Sequence, residues 1–379
     1  MRTKILFAFI AFFICNYSSN SQKIPSPNLD LVINKTMQEN KLPGLAIAIV
    51  KDDSLVFTKG YGVRKLGESA PVNEHTLFQV ASITKSFTTT LLGILVDRGK
   101  IKWTDPVIKY IPGFETSEPF VTQRLTIQDI VSLRSGFLGA EKLNGASRTD
   151  LIPQIKNLKI SDSFRTIQTS YNLNITLAGL IAEIIEGKSW ETLVSNELIV
   201  PLKMKETYTD ISSALSATKN VSTQYYLDQE KKVVPTEWAE TGIYGPADAI
   251  ISNVFDLSNY MELYLNNGIF ENKTIINSKI LNQIQTPQII TESYKDYFNP
   301  KANLMAFGGG CVISDYKGIR IVQMAGMISG STSLITLIPS EKTGIAILTN
   351  IAGAYEAFHP IIYEVIDDLL TSKEHLSKK

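Results

Sequence analysis

The sequence predicts an α+β fold: one antiparallel sheet with a mostly helical insertion beside it. Three observations carry this. Short runs rich in Ile and Val lie near the start, over residues 45–50 and 55–61. Strand-like runs return late, over 306–313, 320–324, 331–338 and 344–349. The stretch between, about 100–300, reads mainly as helix and loop. Strands at both ends with helices between suggest one sheet drawn from both termini. The expected organisation is a leader over 1–21 and one domain over 22–379. The sheet should come from about 40–80 and 300–375, and the helical part from about 100–300.

The elements follow in order. Arg2 and Lys4 precede an apolar run over 5–14 that is too short to span a bilayer comfortably. Cleavage after Ser21 would leave Ser19 and Ser21 at the two small-residue positions of a signal peptide. A lipid anchor on Cys15 is the less favoured reading, because bulky Phe12, Phe13 and Ile14 precede it. No other apolar run approaches eighteen residues, so no transmembrane segment is expected in the mature chain. The expected location is periplasmic or secreted. If Cys15 leaves with the leader, Cys311 stands alone and no internal disulfide can form. Its apolar setting, Gly310-Cys311-Val312-Ile313, reads as a buried structural thiol.

Leu42-Pro43-Gly44 is a turn signal ahead of the first strand, and Lys51-Asp52-Asp53-Ser54 turns it into a hairpin. Residues 82–98 have helical periodicity: Ile83, Phe87, Leu91, Ile94 and Leu95 share a face and Gly99 closes the end. A second apolar helix spans 175–185 before Gly187, and Ser189 looks like the N-cap of a third that ends at Pro201. Gly308-Gly309-Gly310 lacks the Lys-Ser/Thr and helix of a phosphate loop. It reads instead as the start of a strand that needs close backbone approach. A final amphipathic helix is expected over about 354–370.

Composition excludes whole classes. The 379 residues are 44% hydrophobic and 20% charged, as in globular proteins, with 37 basic and 37 acidic side chains. A net charge of zero argues against a nucleic-acid partner, which needs a basic face. Three His and two Cys make a multi-His metal site unexpected and a cysteine-rich zinc module impossible. No metal and no cofactor are indicated. His75, His359 and His375 each read as surface residues, so a Ser-His-Asp triad is not expected.

Chemistry begins at Ser82-Ile83-Thr84-Lys85. Residues three apart on a helix share a face, so hydroxyl and amine can meet. A serine is a poor nucleophile until its proton is removed, and a partly desolvated lysine can remove it. Ser216/Lys219 and Ser314/Lys317 repeat the spacing, but neither opens a long apolar helix.

With this context the chain resembles the serine β-lactamase and penicillin-binding protein superfamily, most of all its class C β-lactamase, D-aminopeptidase and esterase branch. The resemblance covers about 42–350. It rests on Leu42-Pro43-Gly44, Tyr61-Gly62, Thr76-Leu77-Phe78, Trp103-Thr104-Asp105-Pro106, Arg134-Ser135-Gly136, Gly187-Lys188-Ser189-Trp190, Gly245-Pro246-Ala247 and Leu348-Thr349-Asn350. It implies an acyl-enzyme mechanism in which the serine attacks an amide or ester carbonyl. The lysine acts as base, a tyrosine serves as acid and base, and a Lys- or His-headed tripeptide faces them. The partner implied is a small-molecule or peptide substrate with an acyl group.

Carried over residue by residue, Ser82 and Lys85 match the nucleophile and its base. The Tyr-x-Asn box departs: in the frame set by Leu177-Ala178-Gly179, Ser170 holds the tyrosine position and Asn172 the asparagine position. A one-residue slip could bring Tyr171, between them, into the pocket; its neighbours argue equally for an outward side chain. Lys342-Thr343-Gly344 matches the third box literally, but the run after it matches the family's last strand. Met324-Ala325-Gly326 occupies the place of the box, with Gly330 and Ser333 following. The ionisable head has become Met324. The backbone N–H groups of Met327 and Ser82 would form the oxyanion hole, since a main-chain donor survives a change of side chain. Leu133 replaces a common His, and Asp248 follows Gly245-Pro246-Ala247 where a Gly is usual. Asp248 could pair with Lys85, hold it protonated and weaken it as a base; the alternative is a solvated loop Asp. Tyr225, Tyr226 and Tyr244 are candidate cleft aromatics or ordinary packing.

Three functions are compatible with these residues. The first is a serine hydrolase using Ser82 and Lys85, with Tyr171 as a third catalytic candidate and Asn172, Met324, Gly326 and Met327 in the substrate site. Loss of the Lys/His head points away from β-lactamase activity and toward esterase, peptidase or acyl transfer. The second is a binding protein with impaired turnover. The third is a different reaction on the same scaffold.

Overall fold

A computed structural model describes residues 26–161, 164–169, 171–291 and 295–377. The expected leader, its expected cleavage position and Cys15 lie outside the described residues, as does Ser170.

The core is an eight-stranded sheet of α+β architecture. Its strands are β1 (Gly44–Lys51), β2 (Ser54–Gly62), β3 (Ile289–Ile290), β4 (Met305–Phe307), β5 (Val312–Tyr316), β6 (Ile319–Ile328), β7 (Ser331–Ile338) and β8 (Thr343–Thr349). The order is β3-β4-β5-β6-β7-β8-β1-β2, antiparallel throughout. Closure of the two chain ends occurs where β1 pairs with β8, Ile47 opposite Ile347.

The near-continuous apolar run of β1 follows from burial on both faces. Ala46, Ala48 and Val50 point into the larger core with the helical part; Leu45, Ile47 and Ile49 point into the other. That second core is roofed by α1 (Leu29–Glu39) and α5 (Tyr355–Ser377). Side chains alternate in the same way along β8, with Ala346 and Leu348 on one face and Ile345 and Ile347 on the other. Each buried Ile or Leu here stabilises by about 1.5–3 kcal/mol, so a one-residue slip of β1 would move its whole apolar set to the wrong face.

The helix expected over 82–98 is observed as α2 (Thr84–Asp97), and a tight 3-10 turn over Ala81–Ile83 precedes it. It is buried from Thr84 to Leu95, so its polar groups need partners. Thr89 and Thr90 donate to the carbonyls of Lys85 and Ser86 at 2.9 and 2.8 Å. Trp190 Nε1 donates to Thr88 Oγ1, which donates to Pro246 O. Gly99, at φ +71°, ends the helix in the left-handed region expected of it. The helix read over 175–185 is α3 (Tyr171–Glu186), and Ser189 caps its successor by accepting from Thr192 N.

Two differences from the sequence reading stand out. The run 306–313 is two strands, because Gly308-Gly309-Gly310 breaks it against α2: a Cβ on Gly310 would come within 2.9 Å of Lys85 O. The sheet also recruits Ile289–Ile290 from the stretch read as helical. Helix α1, ahead of the first strand read from the sequence, buries Leu29, Ile33, Thr36 and Met37 on one helical stripe. Among the described residues no helix is long and apolar enough to cross a membrane.

Glu262, on α4 (Val254–Leu265), gives a pH test of this packing. Burial, with the charges of Asp53 and Glu271, pushes its carboxyl up to about 7. The native state then keeps a proton that the unfolded chain has released, so stability falls as pH rises from about 4.5 to about 7. Glu262→Gln should therefore raise the melting temperature more at pH 8 than at pH 5. The expected difference is about 1 kcal/mol after allowance for solvent screening, or about 2 °C. Equal shifts at both pH values in a calorimetric scan would contradict it.

Candidate active site

Ser82 sits at a clamped elbow. Ala81 before it has φ +47°, a left-handed conformation that a non-glycine adopts only where its surroundings hold it. The surroundings do so from two sides. Ser331 Oγ and Ser333 Oγ on β7 donate to the carbonyls of Gln79 and Val80, the second at 2.7 Å. From the other side Val80 N donates to Ile250 O, and Ile250 N to Thr84 Oγ1, both at 3.0 Å. Strand β6 presses against the same turn: a Cβ on Gly326 would lie 2.1 Å from Val80 O and 2.7 Å from Ser82 N.

Lys85 lies one turn along and is buried. Its Nζ donates to Ser82 Oγ at 2.6 Å, to Asp248 Oδ1 at 3.3 Å and to Ala247 O at 3.4 Å. Burial lowers its pKa from the usual lysine value, and the Asp248 carboxylate pushes part of the way back. Asp248 ends the short helical turn Gly245–Asp248 and is buried, not solvated. It accepts from Ser82 Oγ at 2.7 Å and from Asn172 Nδ2 at 2.6 Å as well as from Lys85. The ion pair that was one of two sequence readings of Asp248 is thus present, with a serine contact that the sequence did not suggest.

A cavity of about 340 Å³ opens over Ser82 and Lys85. Tyr171, Asn172, Met324 and Met327 line it. Met324 is buried on β6 and Met327 is half exposed. Gly326 is not on the wall; it lies beneath the Ser82 turn. Tyr171, the first residue of α3, lines both this cavity and a neighbouring one. Leu133, at φ +60°, packs into the floor with Ile175, Ala247, Phe307 and Val312.

Other candidates sit elsewhere. Tyr244 donates to Leu143 O at 2.9 Å and faces the neighbouring cavity. Tyr225 is buried, and its hydroxyl accepts from Leu66 N; Tyr226 is exposed. Lys342 pairs with Asp53 at the hairpin end of the sheet. His75 contacts Glu206, and His359 contacts Tyr297 O. The side chain of His375 lies outside the described residues. Cys311 is buried at the cavity wall, and burial pushes its thiol up to about 12, so it is no thiolate nucleophile. Among the described residues no group of three or more His, Cys, Asp or Glu could hold a metal.

The sequence reading missed an aromatic wall. Tyr355, in the first turn of α5, enters the cavity with Tyr297 and Phe298. Its ring stacks on Phe298 at 6.2 Å and meets Tyr297 edge-on at the same separation. Burial and the Asp248 charge raise its hydroxyl pKa, keeping it a neutral phenol. A tyrosine opening an amphipathic helix carries no local sign of this; only the return of α5 across the sheet places it.

The chain belongs to the Beta-lactamase family, whose model matches residues 29–366. It is 27% identical over 355 residues to the unguisins hydrolase ungD' of Aspergillus campestris, covering 89% of this chain and 64% of that protein. The chain thus spans slightly under two thirds of that relative's length. Among solved structures it is similar to the octameric penicillin-binding protein homologue from Pyrococcus abyssi, with TM-score 0.78 and 25% identity. That match covers 91% of this chain and 77% of the other. It also shares its fold with the class C beta lactamase from Rhodobacter sphaeroides, at TM-score 0.74 and 18% identity over 91% of this chain and 100% of that one.

Gly326 tests the clamp. Gly326→Ala places a methyl where Val80 O and Ser82 N already sit, so the turn must move. The variant should react at Ser82 at least about tenfold more slowly, because an ångström of misplacement costs that much or more. An unchanged rate of modification by a serine-directed probe would contradict the clamp.

Proposed function

We propose that this protein is a serine hydrolase that forms an acyl-enzyme on Ser82, with Lys85 as its activating partner. Its substrate is an ester or amide whose acyl part is apolar and uncharged. One observation carries the reading: a buried ammonium or amine held 2.6 Å from a serine hydroxyl at the mouth of a cavity. Such an arrangement lowers the cost of generating an alkoxide, which water alone would leave near the pKa of an ordinary alcohol.

The substrate class follows from the lining. Among the described residues lining the cavity, Lys85 alone is charged, and it is already engaged by Asp248. Met324 stands where relatives of this branch place a cation. A substrate carboxylate entering here would lose its hydration and gain no free counter-charge, a cost of several kcal/mol. Tyr355, Phe298 and Phe307 offer instead an apolar and aromatic surface. This disfavours penicillin-like substrates and favours neutral esters or amides; the relative named as a hydrolase of unguisins supports the hydrolytic direction. The N–H groups of Ser82 and Met327 are proposed to hold the oxyanion, and the contact of β6 with the Ser82 turn supports that pairing. A periplasmic or secreted location remains part of the proposal. A second reading, a pocket that binds without turnover, is supported by the absence of tyrosine at 170, the family's acid–base position.

The test is covalent labelling. A fluorophosphonate should add one equivalent of mass to the wild type and none to Ser82→Ala. Lys85→Met should slow the reaction by about 10²-fold or more. A fluorescent penicillin should label poorly, while neutral p-nitrophenyl esters should be hydrolysed. Labelling of Ser82→Ala at the wild-type rate would sink the proposal. A stable ester adduct that is never released would select the binding reading.

A further inference from the structure

The catalytic serine has one proton and two neighbours that could take it. Lys85 Nζ lies 2.6 Å from Ser82 Oγ on one side, and Asp248 Oδ1 lies 2.7 Å away on the other. Suppose the proton points at Lys85. The carboxylate oxygen then faces the hydroxyl lone pairs at 2.7 Å with no hydrogen between them, a repulsive contact. Suppose instead it points at Asp248. Lys85 then donates to Oγ, and every contact in the group contains a hydrogen. The remaining partners fit the second case. An ammonium has three donors and no acceptor, and Nζ has three acceptors around it: Ser82 Oγ, Asp248 Oδ1 and Ala247 O. An ionised carboxylate only accepts, and Asp248 takes Ser82 and Lys85 on Oδ1 and Asn172 on Oδ2.

We propose that Asp248 is a catalytic residue: it takes the Ser82 proton directly and later delivers it to the leaving group. The proposal rests on the serine-hydrolase reading above. It shifts the base from the expected Lys85 to the carboxylate and leaves Lys85 as the ammonium that stabilises charge developing on Oγ. The steps balance. The Oγ–H bond breaks and the proton passes to Asp248 Oδ1, while the freed pair on Oγ forms a bond to the acyl carbon. The carbonyl π pair moves onto its oxygen. On collapse the bond to the alkoxy or amino leaving group breaks, and that group takes the proton from Asp248. In the second half a water gives its proton to Asp248 and attacks the acyl carbon. Ser82 Oγ leaves with that proton and the carboxylic acid is released.

The geometry also explains a coincidence in the sequence. Ser170 stands where the branch has its proton-carrying tyrosine, and Asp248 stands where it usually has a glycine without a side chain. Asn172 connects the two places by donating to Asp248. The proton carrier absent at position 170 is replaced from the Gly245–Asp248 turn.

The opposite role is equally concrete. If Asp248 only holds Lys85 protonated, it damps the lysine and its removal should accelerate the reaction. The experiment compares fluorophosphonate labelling and p-nitrophenyl butyrate hydrolysis for wild type, Asp248→Asn, Asp248→Gly and Asp248→Glu, each checked for folding by circular dichroism. Asp248→Asn keeps the shape and should lose about 10²-fold or more in both rates. Asp248→Gly, which needs no new space, should lose as much; it decides the matter if the Asn variant does not fold. Asp248→Glu should recover part of the loss. Rates equal to or above wild type in Asp248→Asn or Asp248→Gly overturn the proposal while leaving Ser82 as nucleophile. A wild type that neither reagent modifies at Ser82 overturns the serine-hydrolase reading and this proposal together.

Discussion

A lysine deep under a sheet can keep its charge only if an opposite charge stands beside it, and that constraint organises this molecule. Moving an ammonium from water to a protein interior costs several kcal/mol, which an unpaired Lys85 would have to carry. Asp248 offsets the cost, but only if the Gly245–Asp248 turn is held against α2. Thr88 Oγ1 bonded to Pro246 O, Trp190 Nε1 bonded to Thr88, and Thr84 bonded to Ile250 N hold it there. Thr84 and Thr88, one turn apart on α2, serve this docking.

The sheet supplies the other half. Its closure through β1 and β8 fixes β7, and β7 fixes the Ser82 elbow through two serine hydroxyls. The Ser82 turn is therefore positioned by residues more than two hundred positions away in sequence. The clamp depends on both chain ends folding together, because neither half alone contains it.

Much of this was readable beforehand. Ile-Val runs and turn signals show the sheet because a strand buried on both faces has a composition of its own. The Ser82/Lys85 pair was readable because helical geometry makes a three-residue spacing a contact. Asp248 was visible only as a departure from a glycine, since whether a loop carboxylate is solvated or buried depends on packing that no local pattern encodes. Tyr355 and Phe298 were not readable at all: each is an ordinary aromatic until the return of α5 and the segment before β4 bring them to one cavity. Gly308-Gly309-Gly310 lay between these cases. The need for close approach was legible, and its partner, the backbone of α2 at Lys85, was not.

The most direct measurement is a crystal structure of the protein after reaction with a fluorophosphonate. The expected result is a phosphorus–oxygen bond at Ser82 Oγ. Its phosphoryl oxygen should face the Ser82 and Met327 N–H groups, with Lys85 still within hydrogen-bond reach of the serine oxygen and Asp248 still paired with Lys85. An adduct on another residue, or a Ser82 adduct with Lys85 turned away from the serine oxygen and parted from Asp248, would contradict the claim that these three groups work as one unit.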